Sequence, residues 1–313
     1  MSGAGLAAAA LAAAGGYELV QDGALPGKYR LAEALGQCGA APPPPPGPGP
    51  VRETVTFWSS YRKQMVRMVT LIPQSAAVRP AQGAPPSAAA RGAGLEVVIA
   101  LHGLGGNAVS AADLYAPAMT QAGARFAVVA ADGGSTYWHK RADGDDPLGM
   151  VVHEILPRAA AHGLAVERIG IIGYSMGGYG ALLLAERLSA DGPRPTAATA
   201  ASAAAAAVAA ASPAIFTSYQ DASSADSRSF AGPAEFARYD VLAGLAALRR
   251  VPAWVSCGSD DPFEAATELA RDRLGRLTGR PVAGGITSGC HDDAFWARTA
   301  PSALEFLGLH LTR

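Results

Sequence analysis

The strongest constraint on this chain is a series of short, continuous apolar runs, each stopped by glycine. Residues 95–101 run into His102-Gly103, and residues 126–130 are followed by Asp132-Gly133-Gly134. Residues 168–172 end at Gly173, and residues 252–257 end at Gly258. Runs of this length without polar alternation suit strands buried on both faces. Helix-length segments lie between them, at residues 111–122, 149–162, 176–188 and 264–277. Residues 281–286 read as a weaker strand and residues 301–309 as a closing helix. Two earlier runs, 54–58 and 65–72, read as strands that could pair as a hairpin. Strands alternating with helices give parallel βαβ units, so the expected class is α/β, a doubly wound, mostly parallel sheet flanked by helices. Right-handed crossovers put helices on both faces and open sites at the carboxyl ends of the strands. The residues just after each strand are therefore the ones to inspect for chemistry.

Composition narrows the partners. The 313 residues are half apolar, enough for a large core. The 25 basic and 26 acidic side chains show no like-charge run, so the chain lacks the electrostatic footprint of a nucleic-acid binder. Three cysteines with no C-x-x-C and no H-E-x-x-H provide neither a disulfide scaffold nor metal-site spacing. Only Lys28, Lys63 and Lys140 are lysines, and with the abundant Ala, Gly and Pro this reads as the codon bias of a GC-rich bacterium.

Residues 1–50 differ from the rest and are expected to lie outside a folded domain of residues 51–313. Residues 3–16 are nearly all alanine, with Leu6 and Leu11, and end in small residues. They read either as an export signal or anchor, which would associate the protein with a membrane or cell envelope, or as an Ala-rich helix or tail. The missing basic start counts against the signal, since Lys28 is the first basic residue. Residues 42–50 are proline-rich and read as a linker or a strap on the domain surface. Residues 74–94 read as a surface loop.

Gly173-Tyr174-Ser175-Met176-Gly177 matches G-x-S-x-G, directly after an apolar strand and at the start of a Gly/Ala/Leu-rich helix. A strand-to-helix elbow needs small neighbours, because its serine sits in a strained conformation with the hydroxyl projecting. The alternative is an ordinary glycine-rich turn. A serine hydroxyl is a poor nucleophile until a base takes its proton. Of six histidines, His291 lies in a late Gly-Cys-His-Asp-Asp loop just after the last strand, whereas His310 falls in the closing helix. With the chain order serine, acid, histidine, the acid should follow a strand between them, and Asp260 and Asp261 compete there. Asp261 is favoured because the loop has room to turn it back; Asp260 would then cap the following helix. Asp292 and Asp293 read as partners of local backbone.

His102-Gly103-Leu104-Gly105-Gly106 follows the first central strand, where the backbone amide of Leu104 would join that of Met176 to bind an oxyanion. The same loop supports a rival. Gly103-x-Gly105-x-x-Ala108, with Asp132 ending the next strand, matches the dinucleotide fingerprint of a nicotinamide or flavin oxidoreductase. That reading leaves Ser175, Asp261 and His291 without a role, whereas acyl transfer uses all four loops and requires no cofactor or metal.

Taken together, residues 101–106, 173–181, 257–263 and 291–296 resemble the esterase D / antigen 85 branch of the α/β-hydrolase superfamily, over about residues 51–309. The resemblance implies Ser175 as nucleophile, Asp261 as acid, His291 as base, and the Leu104 and Met176 amides as oxyanion hole. A G-x-x-D-x-F pattern of esterase-D-like proteins falls on Gly258, Asp261 and Phe263. The implied activity is hydrolysis of a small-molecule, lipid or sugar ester, or acyl transfer to a sugar or other alcohol. A binding module on the same fold would show a degraded triad, which is absent. Trp138, Phe216, Phe263 and Trp296, with Tyr219 and Phe295, are candidates to line an acyl pocket. Between Ser212 and Arg250 there is room for a short helical excursion but not for a lid domain. Cys257 and Cys290 flank the acid and base loops; if their strands are neighbours, a disulfide would brace both loops and leave Cys38 unpaired.

Overall fold

The computed structural model describes residues 29, 32, 34–74, 94–189 and 203–311. The alanine-rich stretch at residues 3–16 and most of the 74–94 loop lie outside these. Among the described residues, no helix is long and apolar enough to cross a membrane.

Eight strands form one sheet: β1 (Val51–Ser59), β2 (Gln64–Ile72), β3 (Glu96–Leu101), β4 (Ala127–Ala131), β5 (Ala165–Tyr174), β6 (Ala204–Ala211), β7 (Ala253–Asp260) and β8 (Ala283–Cys290). Their order is β1-β2-β4-β3-β5-β6-β7-β8. β1 and β2 form an antiparallel hairpin, with Trp58 opposite Met65, and β2 also runs antiparallel to β4. From β4 to β8 all neighbours are parallel. The expected doubly wound, mostly parallel sheet is the one observed.

The helices divide between the two faces. α1 (Ala108–Gln121) and the closing helix α9 (Asp293–Leu311) cover Val98, Ala100 and Ile172. The other face packs Val97, Ile99, Leu101 and Ile171 against α4 (Met176–Ser189) and α8 (Glu264–Thr278). It also meets α2 (Pro147–Met150), a π-helical turn Val151–Ile155 and α3 (Leu156–Ala161), which replace the single helix expected over residues 149–162. The excursion after β6 carries three short helices, α5 (Tyr219–Ala225), α6 (Pro233–Arg238) and α7 (Val241–Gly244), and a 3₁₀ turn at Leu245–Arg250.

One central strand was not legible in the sequence. β6 reads Ala-Ala-Ala-Ala-Val-Ala-Ala-Ala, with a single β-branched residue. Alanine is the best helix former, and local propensity points the wrong way here. Packing accounts for it: Val208 and Ala210 face the α4 side, and Ala207 and Ala209 face the α9 side. Helices press on both faces of β6, and methyl groups leave them room. Tertiary burial overrides the weak backbone preference.

The cysteine pairing also differs from expectation. Cys38 is bonded to Cys290, with 4.9 Å between the Cα atoms, and Cys257 is a free, buried thiol. β7 and β8 are indeed neighbours, with Cys257 opposite Ile286 and Gly258 opposite Thr287. Asp260, however, is opposite Cys290, so β8 carries one extra residue at a bulge. An extra residue reverses which face later side chains occupy. Cys257 therefore faces α8, whereas Cys290 faces the α9 side and meets Cys38 and Ala32. Arg298 of α9 adds a hydrogen bond to the Ala40 carbonyl. The segment ahead of β1 is thus tied to the domain.

Closing so long a loop restrains the unfolded chain, and losing such a bond typically costs about 2–5 kcal/mol. Cys38→Ser should lower Tm by roughly 5–10 °C. Non-reducing peptide mapping of the wild type should join the Cys38 and Cys290 peptides. A Cys257–Cys290 peptide, or an unchanged Tm in the variant, would refute the assignment.

Candidate active site

The strand ends bring Ser175, His291 and Asp261 together. Ser175 sits between β5 and α4 with φ of 55°, a left-handed backbone that a residue with a side chain adopts only when its surroundings hold it there. Two chain segments do so. The Ser175 amide donates to the Ala211 carbonyl at the end of β6 (3.0 Å), and the Ala214 amide donates to the Ser175 carbonyl (3.0 Å). The flanking glycines are sterically required. A Cβ on Gly173 would lie 2.0 Å from the Gly177 carbonyl oxygen, and one on Gly177 would lie 2.0 Å from that of Leu101.

Ser175 Oγ is 2.8 Å from His291 Nε2, and His291 Nδ1 is 2.8 Å from Asp261 Oδ2. An ionised carboxylate only accepts, so Nδ1 carries the proton and Nε2 is free to accept from the serine hydroxyl. The Asp261 side chain is fully enclosed. Burial pushes its carboxyl upward, but the hydrogen bond and charge of His291 and the Phe263 amide outweigh that and hold it below the usual range. The competing Asp260 lies beside the Ser259 hydroxyl (3.0 Å). Asp261, through Oδ1, also accepts from the Phe263 amide (2.8 Å) ahead of α8. Asp292 serves local backbone, accepting from the Phe295 amide (2.7 Å). His310, in α9, bonds the Phe306 carbonyl instead.

Met176 directly follows Ser175, and Gly103, the neighbour of Leu104, lies close to it: a Cβ on Gly103 would stand 3.3 Å from the Ser175 Cβ. Leu104 lies in an exposed turn closed by the Gly106 amide on the Gly103 carbonyl, and Met176 begins α4. Within the described residues no hydrogen bond occupies either amide. A helix N-terminus adds a positive dipole end beside Ser175.

The four aromatic candidates separate by place. The Phe263 ring lies 5.2 Å from the His291 ring, and Trp296 lies 5.2 Å from it at 90°. Phe216 stands behind Phe263, at 5.5 Å. Trp138 is wholly buried and lines no open pocket; its indole N–H donates to the His102 carbonyl (3.2 Å). Phe295 is likewise fully buried, and Tyr219 packs against the core.

The loop that resembled a dinucleotide fingerprint is occupied in another way. Asn107 caps α1, and Asp132 accepts from the Ala108 amide (2.8 Å) and from Arg67 (3.0 Å). Its carboxylate is thus used up by α1 and β2. Cys38, Cys290 and Asp292 form a cluster of metal-capable atoms, but its two sulfurs are joined to each other.

His102 is a structural brace that was not evident in the sequence. It is fully buried; Nδ1 donates to the Gly103 carbonyl (2.7 Å) and Nε2 accepts from the Gly133 amide (2.9 Å). This joins the loops after β3 and β4 and admits only the neutral ring. Burial brings its pKa down to about 4.

Neither a protein-family model nor a curated protein matches the sequence. Solved structures do. A ferulic acid esterase superposes with a TM-score of 0.63 at 19% identity, over 83% of this chain and 98% of its own. An S-formylglutathione hydrolase from Agrobacterium tumefaciens gives 0.63 at 15% identity, over 84% and 96%. The Staphylococcus aureus fluorophosphonate-binding serine hydrolase F gives 0.62 at 16%, over 84% and 99%. With the sheet order above, this likeness establishes the α/β-hydrolase fold.

The buried neutral His102 predicts acid sensitivity. The unfolded ring gains a proton near pH 6.5, the folded ring only near pH 4. Stability is therefore lost as pH falls through that window, by ~3 kcal/mol from this residue. His139, lowered chiefly by burial, acts in the same direction. Denaturant titrations at pH 7, 5.5 and 4 should show a shallower pH dependence in His102→Gln than in the wild type. Parallel profiles would overturn this account.

Proposed function

We propose that the protein is a carboxylic-ester hydrolase that works through an acyl-enzyme on Ser175. The observation that carries this reading is the pair of 2.8 Å contacts, Ser175 Oγ to His291 Nε2 and His291 Nδ1 to Asp261 Oδ2, mounted on a left-handed elbow. Ser175 Oγ attacks the ester carbonyl as Nε2 takes its proton. Asp261 keeps the imidazole in the required tautomer and stabilises the imidazolium. The carbonyl oxygen becomes an oxyanion and accepts from the Leu104 and Met176 amides. His291 then returns the proton to the departing alkoxide as the C–O bond breaks. Water resolves the acyl-enzyme by the same steps, with His291 as base, and releases the acid and Ser175.

The expected substrate is a small-molecule ester. Structural neighbours named for ferulic acid and S-formylglutathione support that scale of substrate. Phe263 and Trp296 beside the base support an apolar group near the reacting carbonyl. The Cys38–Cys290 bond supports an oxidising location, outside the cytosol.

The test is hydrolysis of p-nitrophenyl esters from acetate to palmitate. Ser175→Ala should lose at least about 10³-fold in kcat while remaining folded. Adding an alcohol acceptor and following acyl products separates hydrolysis from transfer. A folded wild type that releases no p-nitrophenol from any ester, or a Ser175→Ala variant of undiminished rate, would sink the proposal.

A further inference from the structure

Tyr174 fills the first open position of the G-x-S-x-G elbow, where the turn itself places no demand on the side chain. It ends β5, opposite Ala211 of β6, and its ring lies on the face covered by α1 and α9. The residue is buried although it adjoins the nucleophile. Tyr115 of α1 packs near the ring, with centroids 6.4 Å apart. Trp296 of α9 lies closer, at 4.6 Å, with the two planes 34° apart. Gly103 sits on the ring edge: a Cβ there would stand 2.9 Å from Tyr174 Cε2 and 3.1 Å from Cδ2. Any side chain at 103 would meet the ring.

These contacts form a row across the site. The Leu104 amide belongs to the peptide that starts at the Gly103 carbonyl, and a peptide is planar. The carbonyl end of that plane is held by His102 Nδ1 (2.7 Å) and by the Gly106 amide (3.0 Å). Tyr174 supports the same plane at the Gly103 Cα. Fixing both points fixes the direction of the Leu104 N–H. At the other end of the row, Trp296 meets the His291 ring at 5.2 Å and 90°. The Tyr174 ring thus stands between the turn after β3 and the base after β8. The strands β5, β6 and β7 separate those two in the sheet, so no strand pairing joins them directly.

We propose that Tyr174 is a positioning residue, whose ring aims the Leu104 amide at the oxyanion and, through Trp296, sets the place of the His291 imidazole. This rests on the esterase reading of the site and deepens it. The residue touches no substrate and acts through Gly103 and Trp296. Its flat ring carries the effect, and its hydroxyl does not.

Three variants test this. Tyr174→Phe keeps the ring and should hold kcat on p-nitrophenyl acetate within about twofold of the wild type. Tyr174→Leu and Tyr174→Met keep apolar bulk and lose the flat face. Each should lose about 10- to 100-fold in kcat with KM within about threefold, because a misaimed oxyanion donor weakens the transition state and not the bound ester. Rates are compared well below each variant's Tm, so that lost packing does not enter them. In the Leu and Met variants the His291 Cε1–H and Cδ2–H resonances should move as Trp296 shifts beside them; in Tyr174→Phe they should stay. Those resonances read the row whether or not an ester is turned over. A folded Leu or Met variant with wild-type kcat, or with unmoved His291 resonances, overturns the inference. So does a Tyr174→Phe variant that loses as much rate as the other two. A wild type inactive on every ester, whose His291 resonances still respond to Tyr174→Leu, would instead count against the esterase reading and uphold the row.

Discussion

The site depends on holding one residue, Ser175, in a left-handed conformation at the junction of β5 and α4. Nothing local to the elbow enforces it. The Ser175 amide and carbonyl are gripped by the end of β6, and the glycines at 173 and 177 let the backbones of the turn and of β3 come within contact of each other. The elbow projects the hydroxyl toward His291, which arrives from beyond β8 on the far side of β6 and β7. A change that shifts β6 would move the serine relative to the base, even though β6 supplies no side chain to the chemistry.

Burial governs the electrostatics around this junction. Asp261 is enclosed and still ionised, because the His291 imidazole and the Phe263 amide donate to it and compensate for lost water. His102 is enclosed and neutral, because both ring nitrogens are already committed to backbone. Two titratable groups on the loops around the same serine are thus driven to different charge states by their partners. One supplies a fixed negative charge to the relay. The other ties the Leu104 turn to the loop after β4 without placing a positive charge beneath it.

The segment ahead of β1 has a larger part than a linker would. Through Cys38 it is covalently attached to Cys290, the residue immediately before His291. The strand that delivers the base is one of the sheet's two edge strands, paired on one side only, and it carries glycine at 284, 285 and 289. Such a strand has little side-chain packing of its own. The disulfide and the Arg298 contacts to Ala40 and Ser288 fasten it from the α9 side.

The sequence by itself determined the parts of the protein that are written locally. Apolar runs ended by glycine located β3, β4, β5 and β7, and their alternation with helices implied a parallel sheet with chemistry at the strand ends. Chain order and position after a strand singled out Ser175 and His291 and narrowed the acid to Asp260 or Asp261; the structure brings Asp261 to His291. The features decided only by tertiary structure share one cause, which is that they depend on residues distant in sequence. The alanine run of β6 is a strand because helices cover both of its faces, and no local preference states that. The bulge in β8 turned Cys290 away from Cys257 toward Cys38, because a single extra residue reverses the alternation of side chains. Trp138 and His102 became braces rather than pocket or site groups because their partners, Gly180 within α4 and Gly133 after β4, lie elsewhere in the sequence.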